Sequence, residues 1–240
     1  MSAPDFALWV YLSRTPLLWL TVTLVAYAAT DAASAATDRH PLANPVLHAI
    51  WVIALILGIT GTPYATYFAG AQFVHFLLGP ATVALAIPLY EHRRTVIKAL
   101  APMAAALVVG SITAVATALA AGLAFGLPRE ILIALAPKSV TAAVAMGITQ
   151  TLGGDPSLTA VLVILTGILG AVLVTPLMNR LGVTDWRARG FAVGLAAHGI
   201  GTARAFHVNP VAGSFAGIAM ALNALLTALV VPTAIALLAR

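Results

Sequence analysis

The stretch 98–126 holds one charge, Lys98, in an otherwise apolar and small-residue run, and the chain repeats this pattern along nearly its whole length. Segments at 6–30, 45–61, 72–90, 131–151, 157–179, 190–206 and 211–238 are comparably apolar, and most come near the ~20 residues that carry a helix through hydrocarbon. Of the 240 residues, 61% are hydrophobic and 8% charged, against about 25% charged in a soluble domain. The chain therefore reads as an all-α integral membrane protein. A transmembrane barrel would show short alternating segments, which are absent. Without cysteine there are no disulfides and no thiolate metal sites. The first segment lacks a basic start and is too long and uniformly apolar for a cleaved signal peptide. The net charge of +5 comes from loops, and no basic stripe interleaved with aromatics points to nucleic acid.

Connections are short, Asp31–His40 being the longest polar linker, so one transmembrane domain over 1–240 is expected. Arg93, Arg94 and Lys98 cluster in one loop, and Arg180, Arg187 and Arg189 in another. The positive-inside rule assigns both to the cytoplasm. Three full crossings between them would separate the two loops; two crossings plus one re-entrant segment keep them together. The segment to turn back is 131–151, because Pro137, Lys138 and Ser139 interrupt it, and irregular backbone at membrane depth needs protein or a wet cavity around it. The alternative is that one basic cluster faces outward. "NPVLHAIWVIALIL" (44–57) resembles "DPSLTAVLVILTGIL" (155–169), a weak internal repeat that divides the chain at about 6–126 and 131–238. Inverted repeats with discontinuous helices mark secondary transporters. The expected fold is about seven transmembrane helices plus a broken or re-entrant segment.

Two cations lie inside apolar segments, Lys138 and Arg204, while every carboxylate falls at a segment end or in a loop. A charge at membrane depth costs on the order of 3 kcal/mol and normally has a partner. A bound carboxylate would suit both, an Arg fork and a Lys point charge; snorkelling to the interface is the other account. Around Lys138, Pro137 breaks the helix, so following N–H groups can face an anion at a helix start, and Ser139 and Thr141 add hydroxyls. Around Arg204, "AAHGIGTARAF" (196–206) supplies His198, Thr202 and two glycines, Gly199 and Gly201, which permit close backbone approach or helix packing. "LLGPATVALAIPLY" (77–90) reads as a further broken helix or a simple proline kink. Pro80, Thr82, Pro137 and Asn223 are candidates to line a pathway. His48 and His75 read as packing residues. No metal-ligand spacing, phosphate loop or nucleophile motif occurs, so neither an enzyme nor a cofactor is expected.

"LAPKSVTAAVAM", "FLLGPATVALAIPLY" and "RARGFAVGLAAHGIGTARAF", with the two repeat segments, resemble the LrgB/CidB family over about Asn44 to Pro232. That family includes antiholin-like, murein-hydrolase-export regulators and the plastidial glycolate/glycerate translocator. The resemblance implies a multi-pass protein of the cell (inner) membrane and a carrier of small monocarboxylate anions such as glycolate, glycerate, pyruvate or lactate. It also implies a holin-like alternative linked to lysis, a small LrgA/CidA-like membrane partner and a homodimer. The chain departs from the family where Ala142-Ala143 replaces a usual Thr-Pro, where Ala197 replaces a common Ser, and where acidic residues are missing after Arg204.

Overall fold

The computed structural model describes residues 15–40, 42–77, 80, 83, 90 and 93–238. Regular structure among them is helical throughout: α1 (Pro16–Ala36), α2 (Pro45–Thr60), α3 (Tyr64–Phe76), α4 (Arg93–Lys98), α5 (Leu100–Ala124), α6 (Arg129–Leu135), α7 (Ala142–Thr151), α8 (Pro156–Arg180), α9 (Trp186–Val208) and α10 (Pro210–Leu238). By length and hydropathy α1, α5, α8 and α10 can cross a membrane; α2 is a shorter apolar helix. Two expectations need correction. The polar linker at Asp31–His40 is helical as far as Ala36, because alanine-rich sequence carries helix well. The helix expected to begin at 72 begins at Tyr64.

The chain forms two compact units, Met1–Ala84 and Leu85–Arg240. In the first, α1 packs on α2 and α3. Buried Trp19 meets Tyr67 edge-on with ring centroids 6.0 Å apart. Gly70 permits the approach, since a Cβ there would lie 2.8 Å from Trp19 Cβ. α2 starts where the Asn44 side chain accepts the Leu47 N–H at 3.1 Å and Pro45 occupies the first turn, where its missing N–H costs nothing.

The second unit has two chain reversals. The first is α6–α7. Ile133 and Thr149 both press on Gly154, where a Cβ would lie 2.7 Å from Ile133 Cγ2 and 2.8 Å from Thr149 Cγ2. Leu132, Ile133, Ala136 and Ile148 share one buried cluster. A continuous helix would set Ile133 and Thr149 about 24 Å apart. The segment thus enters and returns, a helical hairpin with its tip at 136–141, as the sequence predicts for 131–151.

The second reversal lies inside α9. Ala197 (φ −129°, ψ 17°) and His198 (φ 40°, ψ −135°) are not helical. Past them the chain doubles back: a Cβ on Gly201 would lie 2.8 Å from Val193 Cγ2 and 3.1 Å from the Val193 carbonyl oxygen. Trp186 and Val208, the two ends of α9, line the same cavity, whereas a straight helix would hold them about 33 Å apart.

The two hairpins enter from opposite ends. The base of the first packs with Val115 and Leu119 of α5 and with Val231 and Ile235 of α10. The base of the second packs with the start of α10, where Gly190 and Gly194 meet the carbonyls of Ala212 and Ala216 so closely that no Cβ would fit. α5, α8 and α10 run between these ends. Lys98 and Arg187 line one cavity, so the two basic loops share an end, as two crossings plus a re-entrant segment require.

Candidate functional site

The hairpin tips meet on α8. Val140 at the first tip and Ala145 in α7 form a buried cluster with Val163 of α8. At the second tip His198, 4% exposed, donates a ring N–H from Nε2 to the Val163 carbonyl oxygen at 2.9 Å. Two glycines of α8 make room: a Cβ on Gly167 would lie 2.6 Å from His198 Cε1, and one on Gly170 would collide with the Ala197 side chain. The breaks expected near Pro137 and near the 198–204 motif thus do come together.

At the first tip the turn uses its own amides. The N–H of Ala136 donates to Leu132 O at 3.0 Å, that of Lys138 to Leu135 O at 3.2 Å and that of Val140 to Pro137 O at 3.2 Å. Of the N–H groups that follow Pro137, expected to be free, those of Lys138 and Val140 are consumed by the turn, while that of Ser139 is not used in it. The open helix start lies further on, where Thr141 precedes α7 without a side-chain cap. The positive end of the α7 dipole sits at the tip. Pro137 and Ser139 are buried, while Lys138 and Thr141 are half-buried. Among the described residues, no hydrogen-bond acceptor or carboxylate pairs with the Lys138 ammonium. Below the tip, Thr159 donates to Thr149 at 2.9 Å, locking α8 to α7.

At the second tip the break falls on Ala197–His198, not on Gly199–Gly201. Gly199 has space, the nearest atom to a built Cβ being Met220 Sδ at 3.8 Å; Gly201 is the glycine that close packing requires. Thr202 is buried, and its hydroxyl donates to the His198 carbonyl at 2.8 Å. Arg204 does not join Lys138. It lies six residues along the returning arm, about 9 Å of helix from His198, and lines a cavity of about 20 Å³ with Arg189, Trp186 and Met178 at the hairpin base. The reversal in α9 carries it away from the tip.

Asn223, a candidate pathway residue, is 1% exposed and holds the packing instead. Its Nδ2 donates to the Leu195 carbonyl at 3.0 Å, Thr227 donates to its Oδ1 at 3.2 Å, and Ser111 sits 3.3 Å from the Thr227 hydroxyl. This chain ties α5 and α10 to the irregular stretch of α9. Pro80 is exposed in the first unit; Thr82 lies outside the described residues, as does most of the break expected at 77–90. The sequence reading passed over Gly190-x-x-x-Gly194 and its partner Ala212-x-x-x-Ala216, a small-residue spacing that is visible without a structure.

Membrane-length apolar helices around two discontinuous hairpins define a multi-pass helical membrane protein. The chain belongs to the LrgB-like family, which matches residues 23–237. It is 31% identical over 199 residues to the holin-like protein CidB of Staphylococcus epidermidis, covering 83% of this chain and 87% of that one. To the uncharacterised protein YxaC of Bacillus subtilis it is 34% identical, covering 78% and 81%, and to an uncharacterised protein of Haemophilus influenzae 33%, covering 79% and 82%. No solved structure matches.

Proposed function

We propose that the chain is a secondary carrier of small monocarboxylate anions, glycolate, glycerate, pyruvate or lactate, in the cell (inner) membrane. The observation that supports it is Lys138: a half-buried ammonium at a hairpin tip, without a protein counter-charge among the described residues, beside an uncapped helix start. Lys138 supplies the charge, Thr141 and the α7 amides the hydrogen bonds, and His198 the opposite wall. Binding sites of this kind lie where broken helices meet at mid-membrane. In this reading the fold completes about seven crossings in two inverted repeats, and the protein moves its solute without catalysis or a cofactor. A small LrgA/CidA-like partner and a homodimer belong to the same proposal.

A second reading has independent support, because the CidB relatives of Staphylococcus epidermidis and Staphylococcus aureus are called holin-like. In that reading the protein modulates membrane permeability and murein-hydrolase export. Proteoliposomes separate the two. Saturable uptake of labelled glycolate that other monocarboxylates compete for supports the carrier. Release of an encapsulated neutral dye without glycolate selectivity supports the holin-like reading and rejects the carrier.

A further inference from the structure

A groove of the second unit lies away from the hairpin tips. It encloses about 570 Å³ between α5 and the entering arm of α9. Pro102, Ala106 and Gly110 form one wall, at a four-residue spacing that aligns them on one helix face. Ala188 and Ala192 form the other, with Phe215 of α10 in the lining. Small side chains on both walls leave the trough open. It closes where α5 meets α9, since a Cβ on Gly110 would lie 2.9 Å from Leu195 Cδ1.

The mouth of the groove is charged. Lys98 lines it, with Arg94 exposed one helical turn earlier on the same face of α4. Asp185 and Arg187 also stand there but neutralise each other, Nη2 lying 2.6 Å from Oδ2. The mouth therefore keeps a net positive charge. Along α5 the wall from Pro102 to Gly110 runs about 12 Å at the helical rise, within the ~15 Å of hydrocarbon in one leaflet. A cationic mouth above an apolar trough of single-leaflet depth matches one lipid, with its headgroup phosphate at the mouth and an acyl chain below.

We propose that this groove is a binding site for an anionic phospholipid, with the phosphate at Lys98 and Arg94 and one acyl chain along Pro102–Gly110. Basic pockets between helices at the cation-rich end of a membrane protein select such headgroups. The site is independent of the carrier reading and stands or falls separately.

The test uses the full chain purified in detergent, titrated with phosphatidylglycerol or phosphatidylcholine and followed by native mass spectrometry and thermal unfolding. Phosphatidylglycerol should form a one-to-one adduct and raise the melting temperature more than phosphatidylcholine does. Lys98→Gln should weaken the adduct about fivefold, the worth of one interfacial cation. Ala106→Leu, which fills the trough without altering charge, should weaken it as well. Equal binding of the two lipids, or adducts unchanged in both variants, overturns the proposal. So does a wild-type protein that binds no lipid but changes oligomeric state with Ala106→Leu, which would assign the groove to a second copy of the chain.

Discussion

His198 Nε2 stands 2.9 Å from the carbonyl oxygen of Val163, and the Val163 side chain packs against Val140 of the opposite hairpin. One residue of α8 therefore seats both tips. The His198 backbone has φ 40°, a region that side chains with a Cβ occupy only at a cost of about 1–3 kcal/mol. The bond to Val163 and the surrounding packing hold it there.

Comparing His198→Ala with His198→Gly isolates that strain. Both lose the buried hydrogen bond, worth about 1–3 kcal/mol when one partner is left unmade. Glycine alone relaxes the backbone. We expect both variants to melt below wild type, with glycine above alanine. A glycine variant no more stable than alanine would reject the strain.

Lys138→Met keeps the stem's bulk and removes the charge. We expect it to abolish glycolate-dependent thermal stabilisation and uptake, while the melting temperature without ligand stays equal or rises, because a costly charge at membrane depth is gone. A destabilised variant that still responds to glycolate would make Lys138 a structural residue. Arg204→Lys should change that response much less than Lys138→Met, since Arg204 lies at the hairpin base.

Gly194→Ala should cost at least the 1–3 kcal/mol typical of overpacking, because the new methyl meets the Ala216 backbone, which cannot swing aside. Gly147→Ala in α7 meets nothing within 4 Å and should be neutral or gain up to about 1 kcal/mol of helix propensity. Thermal unfolding of the pair reads the contrast.

Asp185 is held at about 2, down from 3.8, first by the Arg187 guanidinium and then by the Arg187 backbone N–H at the α9 start. A lowered carboxylate stabilises fully above its unfolded value and loses that contribution as pH falls through the folded one. Acid should therefore loosen the hairpin base between 3.8 and about 2. The effect is small because the pair is half-exposed. Amide exchange at 185–189 should rise over that window in wild type and stay flat in Asp185→Asn.

The first hairpin was legible because its cause is local: a proline, a charge and a serine interrupt one apolar run, and the basic loops on either side demand a reversal. The second was only half legible. A histidine at positive φ carries no local signal, since the room for it comes from Gly167 and Gly170, some thirty residues upstream. Two glycines after His198 drew the expected break onto themselves. Arg204 was misplaced for the same reason: spacing along a chain cannot tell a returning arm from a continuing one. The likeness of 44–57 to 155–169 has a physical core, for both stretches start with a capping side chain and a proline in the first turn, Asn44–Pro45 and Asp155–Pro156.

Both hairpins pack on the same later element, α10. Ala212, Ala216 and Asn223 of α10 grip the second, and Val231 and Ile235 the base of the first. During synthesis both re-entrant loops leave the ribosome before α10 does, with half-length helices too short to settle as ordinary spans. Their packing surface arrives only with Pro210–Leu238. Order of synthesis therefore constrains order of assembly in this unit: a nascent chain that has reached only Asn209 lacks the helix on which both hairpins pack.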